Sequence, residues 1–148
     1  MFLNKRIFLE EIYPIMQEQL DCGGKAAFNI TGTSMLPFLK QGRDSVFIEK
    51  PKRAIKKRDI IFYRRLDGNF ILHRVIGKKN GRYICRGDNQ TENEHGIEPS
   101  QIIGIVIEYN RKGNFKSANC LSHRIYSLFW VNTVFFRKVY RKIKGTIK

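Results

Sequence analysis

The sequence predicts a mostly β, antiparallel domain with a short helix before it and a basic amphipathic helix after it. Three observations carry that prediction. Six short β-type runs follow one another closely between residues 25 and 109. The pair Asn80-Gly81 stands between two of them, and Asn-Gly is the strongest short hairpin signal because both residues tolerate positive φ. Towards both ends the apolar residues instead recur at helical spacing.

Along the chain, Ile7, Phe8, Ile12, Ile15, Met16 and Leu20 mark a helix over residues 4–20. Pro14 predicts a kink or a boundary within it, and Gly23-Gly24 ends it. Lys25–Ile30 reads as a strand running into a turn at Thr31–Thr33. Val46–Glu49 and Asp59–Tyr63 are short β runs separated by a basic loop, Lys50–Arg58. Asn69–Ile76 alternates between Asp67-Gly68 and Gly77, and Arg82–Arg86 and Ile102–Tyr109 complete the set. Gly113–Asn119 reads as a linker, and Leu121–Ile143 as a single aromatic-rich helix. Residues 1–110 are thus expected to form one domain and residues 111–148 a basic tail.

A chain of 148 residues that is 42% hydrophobic suits one domain with a core and excludes wholesale disorder. Its 28 Lys and Arg outweigh 13 Asp and Glu, for a net charge of +15. No acidic residue follows Glu108, and ten Lys or Arg lie between Arg111 and Lys148, so +10 of the total sits in the tail. Such a tail implies a polyanionic neighbour, a membrane surface or nucleic acid. Cys22, Cys85 and Cys120 are odd in number and far apart, which argues against a disulfide framework and a structural zinc site. Nothing in the pattern calls for a metal or cofactor. No apolar run reaches about 18 residues, so no membrane-spanning helix is predicted, nor is a signal peptide visible. These features predict a cytoplasmic protein or one lying peripherally on the inner membrane face.

The first chemical candidate is Thr31-Gly32-Thr33-Ser34-Met35-Leu36-Pro37. A serine just after a Gly-containing turn exposes its hydroxyl, and nearby backbone N–H groups can face an oxyanion. A nucleophilic serine needs a base. His73, in the run Phe70-Ile71-Leu72-His73-Arg74-Val75-Ile76, shares a strand face with Ile71 and Val75. A lone histidine there is more commonly structural, yet its ordinary pKa near 6.5 suits a base at neutral pH. The polar segment Arg86–Gly96 holds two carboxylates, Asp88 and Glu94, that could orient an imidazole. Read alone, it is a solvated loop.

Together these pieces resemble the superfamily of type I signal peptidases and SOS-repressor peptidases. The matching motifs run in the family order: Ser34-Met35-x-Pro37, Arg58-Asp59-Ile60-Ile61-Phe62, His73-Arg74-Val75-Ile76, Gly87-Asp88-Asn89 and Ile103-Gly104-Ile105-Val106, over roughly residues 25–108. The resemblance implies an antiparallel β fold and a serine endopeptidase acting on a peptide or pro-protein. It implies Ser34 as nucleophile and His73 as base, where bacterial signal peptidases carry Lys and archaeal and endoplasmic-reticulum enzymes carry His. Asp88 matches the acid of the Gly-Asp-Asn box, and Glu94 lies where His-type enzymes place a second acid. Which of the two supports His73 stays open. Asp59 reads as structural. Arg58 stands where Gly is usual, and Gly32 where some members carry a hydroxyl donor, which leaves any oxyanion site to backbone N–H groups, chiefly that of Ser34. The chain is similar also to small peptidase-like proteins of Bacteroidota, which share Gly32-x-Ser34-Met35-Leu36-Pro37-Phe38, Gly42-Arg43-Asp44-Ser45-Val46, a Glu-His pair and an aromatic, basic C-terminus.

The tail admits two placements. In one it lies on an anionic membrane, with Trp130 and Phe135 in the headgroup boundary and Arg137, Lys138, Arg141 and Lys142 on lipid phosphates. In the other its apolar face packs on the β domain. Two rivals to the peptidase reading are a catalytically idle peptide-binding relative and a basic nucleic-acid-binding β domain. No recognition motif accompanies the charge, so no specific nucleic acid is expected.

Overall fold

Short, mostly apolar β runs close the middle of the chain into one eight-stranded antiparallel sheet. The architecture is that of a computed structural model that describes residues 2–146, with side chains from residue 9 onward. Helix α1 (Phe2–Asp21) precedes β1 (Ala26–Asn29), β2 (Ser45–Glu49), β3 (Ile60–Arg64), β4 (Phe70–Lys79), β5 (Arg82–Arg86) and β6 (Glu94–Ile97). A 3-10 turn at Pro99–Gln101 leads into β7 (Ile102–Arg111) and β8 (Asn114–Ser117), and α2 (Leu121–Asn132) and α3 (Val134–Thr146) follow. The strand order is β1-β2-β7-β3-β4-β5-β6, with β8 added to β7. The mostly β, antiparallel class with helices at the two ends is thus the one found.

The β4–β5 connection is the hairpin that Asn80-Gly81 announces, with φ of 51° and 77° at the two turn residues. Four details differ from the sequence reading. α1 continues through Pro14, because Ile12 and Tyr13 before it and Met16 and Leu20 after it pack on one core. The side chains of Ile7 and Phe8 lie outside the described residues. The expected linker contains β8, whose four residues pair Glu108–Arg111 of β7 after a turn at Lys112-Gly113. The polar segment after Asn89 contains β6, an edge strand paired to β5 through Tyr83↔Ile97 and Cys85↔Glu94. The C-terminal helix is two helices, broken at Thr133, whose Oγ1 and backbone N–H both turn back to the Trp130 carbonyl. Asn132-Thr133 favours such a break, since short polar side chains compete for the helix's own carbonyls.

The sheet buries both faces. Ile60 and Phe62 of β3 join Met35, Phe38, Leu39, Val46, Ile48 and Val106 in one core that α1 covers. Ile61 and Tyr63, pointing the other way, join Val75, Tyr83, Cys85 and Ile97 in a second. The same alternation divides β4. His73, paired with Ile61, lies on the second face, and Arg74 on the first, against Phe38. Adjacent residues are thereby assigned to separate networks.

Candidate active site

Ser34 sits in the turn after β1, half-buried, with Met35, Phe38 and Leu39 anchoring the turn in the first core. Gly32 has φ of 78°, a backbone shape that favours glycine, and its N–H donates to Gln41 Oε1 at 2.6 Å. That donor is occupied. The N–H and the hydroxyl of Ser34 have no hydrogen-bond partner among the described residues. The Ser34 carbonyl accepts from Asn89 N–H at 2.8 Å, which ties the turn to the segment after β5.

The contact is close because residue 87 is glycine. A Cβ on Gly87 would stand 2.5 Å from the Ser34 carbonyl oxygen and 3.0 Å from its Cβ. The last rung of the β4–β5 ladder is Arg74↔Arg86. Gly87 comes directly after that rung, so Ser34 is held at the end of β5, beside the strand that carries His73, and no hydrogen bond joins the Ser34 and His73 side chains among the described residues.

His73 is 3% exposed. Its Nδ1 lies 3.3 Å from the Tyr63 hydroxyl and 3.7 Å from Glu94 Oε2. The Tyr63 hydroxyl has one proton and donates it to Glu94 Oε2 at 2.6 Å. Its oxygen must then accept from His73 Nδ1–H, which leaves the lone pair on Nε2. That tautomer suits a base. Burial pushes the imidazole down to about 4, against the upward pull of Glu94 and with help from the Arg65 charge. Burial would raise Glu94, but hydrogen bonds from Arg65, at 2.6 and 2.7 Å, and from Tyr63 outweigh it and hold the carboxyl below its usual range. Burial, then the Glu94 hydrogen bond, keeps the Tyr63 hydroxyl protonated well beyond its ordinary range.

Asp88 faces elsewhere. Its carboxylate takes a bidentate pair from Arg74, at 2.8 and 2.7 Å, and a third bond from Tyr126. Arg74 is fully buried and Asp88 3% exposed. Arg74 also reaches the Arg58 carbonyl and His123 Nε2. Of the two carboxylates, Glu94 is the one beside His73. Asp59 takes a bidentate pair from Arg53 and the Lys56 N–H, a loop-fixing role. Arg58 before it has φ of 80°, which explains why glycine is usual there.

The tail meets the same loop. Trp130 Nε1 and Arg137 both donate to the Asp88 carbonyl at 2.6 Å, and Arg141 donates to that of Asn89. The Arg137 guanidinium lies 4.4 Å over the Trp130 ring, and Lys138 pairs with Glu92. Phe135 and Lys142 are exposed. Tyr63, Arg65 and Arg74 were not singled out from sequence. The signal for Tyr63 was its parity: it lies two residues from Ile61, which pairs with His73, and therefore on the His73 face.

A groove of about 760 Å³ opens at Ser34, walled by Ile12, Phe28, Phe62, Phe70 and Leu72 and edged by Ala27–Thr31. β1 is an edge strand of the sheet. A half-buried serine with unengaged hydroxyl and N–H, an apolar groove and a sheet edge beside it make a scaffold of the serine-peptidase type. The family model described as Peptidase S24-like matches residues 4–107, and the chain belongs to that family. The signal-peptidase and SOS-repressor resemblance is thereby met at the level of superfamily. No curated protein matches the chain.

Proposed function

We propose that this protein is a serine endopeptidase in which Ser34 is the nucleophile, His73 the base and Glu94 the carboxylate that supports it. The observation that carries the proposal is the Glu94–Tyr63–His73 hydrogen-bond chain, which protonates Nδ1 and leaves Nε2 basic. Ser34 Oγ attacks the scissile carbonyl and gives its proton to Nε2. The imidazolium forms 3.7 Å from the Glu94 carboxylate, whose charge offsets the cost of ionising a buried ring. The Ser34 N–H receives the oxyanion. The imidazolium then protonates the leaving amine, and a water deprotonated by the same nitrogen hydrolyses the acyl-enzyme. The substrate lies extended along the β1 edge, with an apolar side chain in the groove. Asp88 holds Arg74 and the loop beneath Ser34 and takes no proton.

The pH profile of an unstructured peptide pool tests this assignment. Because only neutral His73 accepts the serine proton, kcat/KM is expected to be low in acid and to rise through about pH 4, well below the ordinary histidine range. Glu94 pulls that pKa up, so Glu94→Gln should move the rising limb to still lower pH while lowering the plateau. An ascending limb near pH 9, or one indifferent to Glu94→Gln, contradicts a His73 base.

A further inference from the structure

Helix α3 is packed charge-inward. Arg137, Lys138 and Arg141 face the loop from Asp88 to Glu92. The opposite side carries Phe136, Val139, Tyr140 and Ile143 at the i, i+3, i+4, i+7 spacing of one helix face, exposed by 71%, 41%, 65% and 54%, with Phe135 at its margin. An ordinary surface helix does the reverse. α2 packs His123, Ser127 and Val131 inward, yet Leu121, Ile125, Leu128 and Phe129 form a second outward stripe. A folded chain that leaves two apolar stripes in water requires a cover for them.

We infer that the outward stripes of α2 and α3 dock into the headgroup region of an anionic membrane. Charge selects the cover. Exposed Lys142 and Lys144 flank the α3 stripe, one on each side, where their ammonium groups reach lipid phosphates as the apolar face sinks. Arg111, Lys112 and Lys116 line a cleft that also includes Ser122 and His123 at the start of α2, and no acid follows Glu108 to offset them. A second copy is the wrong cover, because two tails without an Asp or Glu would bring like charge together on chains of +15 each. The geometry is interfacial. At 12 and 13 residues the helices are each about 18–20 Å long, short of the roughly 30 Å core, and no described helix is long and apolar enough to cross a membrane. Trp130, Arg137, Lys138 and Arg141 stay with the protein. Of the residues expected on lipid from the sequence, the contact falls to Phe135 and Lys142, joined by Phe136, Val139, Tyr140, Ile143 and Lys144.

Co-sedimentation of the full chain with phosphatidylglycerol-containing vesicles, beside pure phosphatidylcholine vesicles, tests the inference independently of any peptidase activity. Binding is expected on the anionic vesicles only, weakening as salt rises. Lys142→Ala and Lys144→Ala should each weaken it about fivefold. The double variant Phe136→Ser/Ile143→Ser should weaken it at least about tenfold. Its thermal melt should match the parent, since both side chains already face outward, and that match separates lost docking from lost fold. Equal binding to both vesicles, no binding, or undiminished binding by Phe136→Ser/Ile143→Ser overturns the inference. A lipid-free dimer that the same double variant dissolves overturns it in favour of a second copy.

Discussion

Replacing His73 by glutamine is expected to lower peptide cleavage by about 10²–10⁴-fold, the contribution typical of a positioned general base. Ser34→Ala should abolish it. The supporting groups should be readable in the same assay. Tyr63→Phe removes the oxygen that accepts from Nδ1–H, and Glu94→Gln removes the charge that offsets the imidazolium. Each should lower kcat more than it changes KM, because both act after substrate is bound. Combined, they should cost little more than the larger single effect, since Tyr63 reaches His73 as part of one chain with Glu94. Additive losses would show that the two act separately. Full activity in His73→Gln would remove the base.

Asp88→Ala is expected to act on stability, by about 3–5 kcal/mol. The pair it breaks is buried on both sides, and the fully buried Arg74 guanidinium would keep its charge without its carboxylate. For a chain of this size such a loss lowers the melting temperature by roughly 10 °C. Tyr126 would lose a partner too, loosening α2 from the loop. Replacing both ion-pair partners, Arg74→Met with Asp88→Leu, should recover much of the loss, because the uncompensated charge is gone. Glu94→Gln, at a site only part-buried, should lower the melt less than Asp88→Ala does. An Asp88→Ala protein that melts like the parent yet fails to cleave would return Asp88 to the chemistry.

The strands that position the site were legible because each is a compact β-type run bounded by turn residues. Asn69–Ile76 carried its own period, and Asn80-Gly81 fixed the hairpin and hence which β5 residue meets which β4 residue. β6 and β8 were not, for a physical reason. Glu94-His95-Gly96-Ile97 puts only Ile97 in a core and Asn114-Phe115-Lys116-Ser117 is exposed throughout, so both rest mainly on ladder hydrogen bonds, which leave little hydropathy signature. Missing β6 is what left the acid undecided, since it is the Cys85↔Glu94 pairing that carries Glu94 to the His73 face. Asp88 was the more prominent candidate by motif. Its partner, Arg74, follows His73 directly, so β alternation sends the two to opposite faces. The tail showed the converse problem. The amphipathic pattern of α3 was plain, but periodicity gives a helix two faces without saying which turns inward. Here the loop's carbonyls at Asp88, Asn89 and Gln90 drew the arginines in.

Whether Ser34 is a nucleophile activated by His73 can be measured without knowledge of the substrate. The full-length protein is treated with a fluorophosphonate at neutral pH, digested, and the modified residue located by mass spectrometry. One adduct is expected, on Ser34, formed at least about a hundredfold more slowly in His73→Gln and absent from Ser34→Ala. No adduct on the folded parent, or an adduct elsewhere that persists in Ser34→Ala, would contradict a Ser34 nucleophile.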